Sequence, residues 1–322
     1  MNKKTFIVGG NHMGNNSKTF ITRRHFLGTV AATVASLNTR RLIAADSAKD
    51  NIHLGMMLQG SSSAELQKNA RVIAAAGFDT VQLTFFFHPT EDELKSLADT
   101  LKELKLKTVA FGTYFNLFRP DDTSFMRSSQ ATMKLVAAHA GLFDCTQFVT
   151  WSASYSPKFL GAEPRNHTPE AVAQVHRAIR EIILPIIEPA GCRVALEPTF
   201  PHVLGTLELA KEVFAPFPAS RVGIVLDPPN FISPVLYAKR REIICRFFSE
   251  LGDRIHLGHF KDMKLNAAGE RVCPGPGDGE MDYKLLISEI RKLDRTLSCI
   301  IEHIKTEPAE LSKAKAWVEA QL

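Results

Sequence analysis

Four side chains able to hold a cation or move a proton stand at the ends of successive apolar runs: Glu197 in CRVALEP, Asp227 in RVGIVLDP, His259 in RIHLGHF and Glu302 in LSCIIEHI. Side chains alternate in direction along an extended chain, so Arg193, Ala195 and Glu197 share one side of the first run. The same count aligns Gly223, Val225 and Asp227, then Ile255, Leu257 and His259, then Ser298, Ile300 and Glu302. Singly, each has a plain reading: a strand-end carboxylate is usually a solvated ion-pair partner or cap, and a lone histidine a satisfied core residue. Side by side as strands, the four runs would bring three carboxylates and an imidazole to one mouth. With Arg193 at the far end of its run and no cation of that parity counted beside the acids, the three would repel unless a metal neutralised them. Three oxygen donors and one nitrogen suit one divalent ion, Mn²⁺ foremost or else Mg²⁺ or Co²⁺, better than a structural zinc.

The elements that must position these residues follow from periodicity. Strand-like runs are IHLGMML, TVQLTFFF, KTVAFGTYF, CTQFVTWSA and the last four, in which Glu197, Asp227, His259 and Glu302 lie. Between and after them lie segments with apolar residues at three- and four-residue spacing, from SAELQKNARVIAAAGF to PAELSKAKAWVEAQL. Helix starts are marked by Ser63, by Thr90 before Glu91 and by Thr168-Pro169, and ends by Gly77, Gly191 and Gly252. Eight strands alternating with eight helices predict an α/β fold, a single-domain (β/α)₈ TIM barrel, over residues 46–322. A doubly wound open sheet is the rival, but its glycine-rich first turn is missing.

Residues 1–45 read differently. Arg23 and Arg24, then Phe26 and Leu27, a weakly apolar Ala/Thr/Val stretch and the small pair Ala44-Ala45 resemble a twin-arginine (Tat) signal peptide. The apolar stretch from Phe26 to Leu37 falls far short of the ~20 residues a membrane span needs, so no stable membrane insertion is expected. The leader also carries Lys3, Lys4, Lys18, Arg23, Arg24, Arg40 and Arg41 and no acid; without these seven, the net charge of +5 becomes about −2. A nucleic-acid partner is therefore not expected. Five cysteines without a CxxC pair, in odd number, indicate neither a zinc ribbon nor a disulfide framework. An exported, periplasmic protein is expected, folded and able to take up its metal before translocation.

ALEPT (Ala195 to Thr199), VLDPPN (Val225 to Asn230), HFKD (His259 to Asp262), GDGEMDY (Gly277 to Tyr283) and IIEHI (Ile300 to Ile304) together resemble the xylose isomerase-like family, the sugar phosphate isomerase/epimerase superfamily. The resemblance covers essentially the whole chain after the leader. It implies that Glu197, Asp227, His259 and Glu302 bind one divalent metal, and that Glu197 and Glu302 flank the substrate carbon and trade its proton. The implied activity is a metal-dependent sugar isomerase or epimerase working through an enediolate. A lyase or hydratase acting on a 3-keto-sugar or keto-glycoside would share that intermediate. A non-catalytic sugar-binding barrel is the reading from another class. The resemblance also leaves a homo-oligomer open.

This chain departs from the ketose 3-epimerase pattern in carrying Asn230 where those enzymes commonly have a histidine. The multiple histidines of endonuclease IV relatives are not evident. Residues just after strands supply substrate contacts in barrels, and His88, Trp151, His202, Asn230 and Lys261 are the candidates. Trp151 would stack on a sugar face or else plug the top of the barrel. Lys261 would neutralise an enediolate, or else pair with Asp262. Arg119 is expected to pair with Asp121 or Asp122, and His256, of opposite parity to His259, to pack toward the helices. The loop CPGPGDGEMDY lacks a P-loop lysine and is expected to be a tight lid-like loop, with Asp282 capping the next helix.

Overall fold

The computed structural model describes residues 51–122 and 128–322; the expected leader lies outside them. Strands β1 (Ile52–Gly60), β2 (Thr80–Phe85), β3 (Lys107–Gly112), β4 (Gln147–Trp151), β5 (Arg193–Glu197), β6 (Val222–Leu226), β7 (Ile255–Phe260) and β8 (Leu297–Ile301) correspond to the eight apolar runs. All neighbours pair in parallel, and β1 bonds to both β2 and β8, closing the barrel. Helices α1 (Ser63–Ala75), α2 (Glu91–Glu103), α3 (Gln130–Ala138), α4 (Pro169–Ala178), α5 (Leu207–Phe214), α6 (Arg240–Leu251), α7 (Tyr283–Ile290) and α8 (Pro308–Glu319) follow the strands in turn. Strands covered by helices on one side and filled by side chains on the other are buried on both faces, which is why their sequences are nearly continuous apolar runs.

Local chemistry sets the helix ends. Thr90 and Glu93 form a reciprocal capping box at α2, and Thr168 caps α4 with Pro169 in its first turn. At α1 the cap is Ser62, which accepts from the Glu65 amide, one residue before the expected Ser63. Gly77 and Gly191 adopt φ of 80° and 66°, the left-handed conformation that ends a helix at little cost. Gly252 does not: at φ −57° it continues α6 into a 3₁₀ turn, Gly252–Arg254. The single helix expected from Pro169 onward opens into a π turn at Ile179–Ile183 ahead of Pro185. A proline there has no N–H for the Glu181 carbonyl, and the wider turn absorbs the mismatch.

Barrel closure staggers the strands, and the stagger brings the site together. Ala195 pairs with Gly223, Leu226 with Gly258, and Ile301 with Phe260. Continuing those registers, Asp227 stands level with His259 but two residues beyond the partner of Glu197. Glu302, whose amide donates to Phe260 O, stands level with Lys261. The acids thus climb along successive strands, which offsets strand tilt.

Between β6 and β7 the register skips His256, whose ring turns outward and donates from Nε2 to Ala219 O at 2.6 Å, as its parity requires. Gly223 makes room for it: a Cβ there would collide with Arg254 O and the His256 ring. Gly223→Ala is therefore expected to destabilise the protein by roughly 1–3 kcal/mol through overpacking against backbone. Urea unfolding checks this, and an unchanged midpoint with an unchanged slope would show that the bulge yields freely.

Candidate active site

At the C-terminal mouth of the barrel, Glu197, Asp227 and His259 bring one ligand-type atom each within 4.8 Å of the others, all three residues buried. Sequence places them directly. Asp227 follows β6 and caps the one-turn helix Pro228–Phe231, accepting from the Asn230 amide at 3.3 Å. The two prolines preset that turn, and it delivers the Asn230 side chain onto Glu197, Nδ2 donating to Oε1 at 2.8 Å. The other Glu197 oxygen accepts from Tyr114 OH at 2.7 Å.

Hydrogen-bond polarity then propagates across the floor. Burial foremost, with the Glu197 and Glu302 charges, raises Tyr114 well above the ordinary phenol range, so it stays a donor. Its oxygen accepts from Gln82 Nε2 at 3.0 Å, which leaves Gln82 Oε1 to accept from His259 Nε2–H at 2.9 Å. His259 Nδ1 is buried without a hydrogen bond and faces Glu197 Oε2 at 3.3 Å and oxygens of Asp227 and Glu302 at 3.7 Å each. Burial lowers the imidazole's proton affinity, but Glu302, Glu197 and Asp227 outweigh it and carry the pKa to about 9. A proton and a divalent cation are alternative occupants of that nitrogen.

The cation that parity counting inside the strands left out is Lys261. It is 2% exposed, points inward like His259 two residues earlier, and its ammonium donates to Asp227 Oδ2 at 2.6 Å and Glu302 Oε1 at 2.5 Å. Contrary to expectation, repulsion among the acids does not by itself demand a metal: Lys261 supplies one neutralising charge from the chain itself. Burial opposes the ammonium, yet Asp227, Glu302 and Glu197 hold its pKa above the ordinary lysine range. Burial likewise pushes Asp227 up, but Lys261 and then His259 prevail and hold it at about 2. Glu302 is lowered against burial by Lys261 and His259. Glu197 lacks the lysine contact, and burial foremost raises it to about 7. The donor set still fits a divalent cation, because oxygens of Glu197 and Asp227 and the unbonded Nδ1 of His259 converge within 4.8 Å, while Glu302, bound to Lys261, stands beside that group rather than in it.

A cavity of about 420 Å³ opens above this floor, with Glu197, Glu302, Lys261 and Asn230 at its base. Trp151, paired in register with Glu197, lines it and stacks on Phe159 with ring centroids 4.0 Å apart. Two expected substrate contacts lie elsewhere. His88 is on the surface beyond β2, its Nδ1 3.1 Å from Thr132 Oγ1. His202 is fully buried behind the aromatic wall, donating from Nε2 to Phe159 O at 2.8 Å and meeting Trp151 and Phe159 edge-on. Arg119 pairs with Asp122 at 3.6 Å. Asp262 turns away from Lys261 and accepts from the amides of Met263, Gly277 and Met281, tying the glycine-rich loop to the end of β7. Asp282 caps α7.

Tyr114 and Gln82 belong to the site but lie outside the strand-end motifs. Parity through Ala110 and Gly112 points Tyr114 inward, and Gly112 is the signal, since a Cβ there would strike the Tyr114 ring.

A closed parallel (β/α)₈ barrel with a carboxylate–imidazole cluster at its C-terminal mouth defines the class of protein. The chain matches the model of the xylose isomerase-like TIM barrel family over residues 70–321, and it belongs to that family. No curated protein sequence matches it. Similar solved structures include D-allulose 3-epimerase from Methylomonas sp., 15% identical over 85% of this chain and 99% of that one, with a TM-score of 0.58. The probable 3-DHS dehydratase AsbF from Bacillus anthracis is 16% identical over 83% and 98%, TM-score 0.57. A xylose isomerase-like barrel from Mycobacterium smegmatis in complex with magnesium is 13% identical over 81% and 89%, TM-score 0.57. At these identities the likeness is one of fold.

Lys261→Met leaves Asp227 and Glu302 buried without their counter-charge. It is expected to cost about 3–5 kcal/mol in chelator, with a larger thermal stabilisation by added Mn²⁺ than in wild type. Equal unfolding midpoints of the two proteins in chelator would show that Lys261 is not the counter-charge.

Burial also depresses His202 to about 4 against its bond to Phe159. Its contribution is complete above the unfolded value near 6.5 and is lost as pH falls toward 4, roughly 3 kcal/mol in all. The fall in unfolding free energy between pH 7 and 4 should be shallower in His202→Gln. Parallel profiles would contradict the assignment.

Proposed function

We propose that the protein is a divalent-metal-dependent sugar isomerase or epimerase, exported to the periplasm by the twin-arginine leader at residues 1–45, with Mn²⁺ as the metal. The observation that carries the reading is that two carboxylates of opposite character, Glu197 and Glu302, open into one cavity beside a converging Asp227 and His259. Glu197, Asp227, His259 and Glu302 would hold the ion, which supplies Lewis-acid polarisation of a carbonyl and its neighbouring hydroxyl.

The chain's own residues account for the rest. Glu197, with a proton affinity near neutrality, takes the proton from the sugar carbon. Tyr114 and Asn230 hold its two oxygens, fixing the direction of approach. Glu302, kept anionic by Lys261, can deliver a proton on its own side of the cavity only after taking one from solvent or from the Lys261 ammonium that bonds it, while Glu197 keeps the proton it removed. Return to the same carbon from that side inverts it, and return to the neighbouring carbon moves the carbonyl. Trp151 and Phe159 offer a flat apolar wall to a sugar face.

A second reading, a lyase or hydratase on a 3-keto-sugar or keto-glycoside, is favoured by Lys261. An ammonium has three donors, and two carboxylates take only two of them, leaving one for a departing oxygen.

With Mn²⁺ in D₂O, the purified protein is expected to exchange a carbon-bound proton of a keto-sugar, and Glu302→Gln to lower the exchange rate by roughly 10²–10⁴. Unchanged turnover in that variant removes Glu302 from the chemistry. Binding without exchange in wild type would support a sugar-binding barrel instead, and product analysis of a free keto-sugar against a keto-glycoside separates isomerase from lyase.

A further inference from the structure

Arg271 lines the cavity above the proton-transfer residues. It belongs to a two-stranded antiparallel ribbon, Lys264–Leu265 with Arg271–Val272, that rises from the end of β7, and its backbone is registered with Leu265. From there the side chain reaches across to the loops that follow β5 and β6. Its guanidinium carbon lies 4.8 Å from the centroid of the Phe200 ring, and one of its N–H groups donates to Pro229 O. Among the described residues no carboxylate pairs with it, as none pairs with Arg193, Arg254 or Arg295, but Arg271 differs from these in lining the cavity. A guanidinium presents several N–H donors in a fixed plane. Stacking and one backbone bond fix that plane here while leaving further donors toward the cavity.

The charges lining the cavity fall into two levels. Glu197, Glu302 and Lys261 form the floor, where the acids are already engaged by Tyr114, Asn230 and the ammonium. Arg271 stands on the rim, the only arginine among the described lining residues, held by the loops that carry Phe200 and Pro229. An acid on the floor that needed an arginine would have taken it directly. A pre-oriented guanidinium with no acidic partner facing a ligand cavity matches the planar geometry of a carboxylate. Its position at the rim sets that carboxylate at the end of the substrate away from the reacting carbon.

We propose that Arg271 is a specificity residue that binds a terminal carboxylate of the substrate, so that the substrate class is acidic sugars of the uronate type rather than neutral sugars. The inference deepens the reading of the cavity as a sugar site and rests on it.

The test uses matched pairs that differ only in a terminal carboxylate or hydroxymethyl group: D-fructuronate with D-fructose, D-glucuronate with D-glucose, and D-galacturonate with D-galactose. Each is titrated calorimetrically into the purified full-length protein with Mn²⁺. The expected result is tighter binding of the acid in at least one pair by roughly 10- to 100-fold, the range of a charge-assisted bidentate contact. Arg271→Gln should abolish that preference, and Arg271→Lys should restore part of it.

Equal affinities within every pair, preference for the neutral members, or no binding of any acid overturns the proposal. So does an acid preference that survives in Arg271→Gln. If that variant lowers the unfolding midpoint and leaves the ratio of affinities unchanged, Arg271 is only a strap between loops. Solvent exchange separates this proposal from the functional reading. Exchange with neutral keto-sugars alone keeps the isomerase and sinks the carboxylate, and Arg271-dependent binding of acids without exchange does the reverse.

Discussion

The ammonium of Lys261, held between Asp227 and Glu302 in the buried mouth of the barrel, is the interaction on which the arrangement of the floor depends. Bringing carboxylates together away from water is costly, and the cost is tolerable only with opposite charge at contact distance and with every remaining lone pair engaged. Lys261 meets the first condition for two of the acids. Tyr114 and Asn230 meet the second for Glu197. The result is a division of labour: Asp227 and Glu302 are held anionic, while Glu197, without the lysine contact, is left with a proton affinity near neutrality. Two glutamates with the same side chain thereby acquire different character from their surroundings alone.

Directionality is the second consequence. Because Tyr114 can only donate to Glu197, Gln82 must donate to Tyr114 and accept from His259, and the chain of bonds ends in an imidazole whose Nδ1 faces the acids. One tyrosine therefore orients a histidine that it does not touch. Around this floor the structure is tied down on each side. Asp227 caps the turn that carries Asn230, Asp262 gathers the amides of the glycine-rich loop, and the carbonyl of Lys261 accepts from Tyr283 OH.

Much of this was legible in the chain. Alternating runs and caps predicted all eight strands and the eight main helices, since periodicity is a local property and each element solves its own burial problem. The departures were local too: Ser62 rather than Ser63 at α1, and Gly252 in a right-handed turn. Parity along β5 to β8 pointed Glu197, Asp227, His259 and Glu302 inward, and the structure brings them together. Position after a strand proved a weaker guide for the rim. His88 and His202 both follow strands, yet one faces solvent and the other is sealed behind Trp151 and Phe159, because loop paths are decided by long-range packing.

By itself, then, the order of residues determined the periodicities, hence the barrel, and the inward side of each strand, hence the set of groups that could meet. Which groups do meet was decided by tertiary structure. Barrel stagger sets Lys261 level with Glu302 and brings Tyr114, 83 residues earlier in the chain, onto Glu197. The β7 ribbon carries Arg271 across to the β5 and β6 loops. Charge, desolvation and proton affinity depend on distances of a few ångströms between residues remote in sequence, and those distances exist only once the sheet has closed.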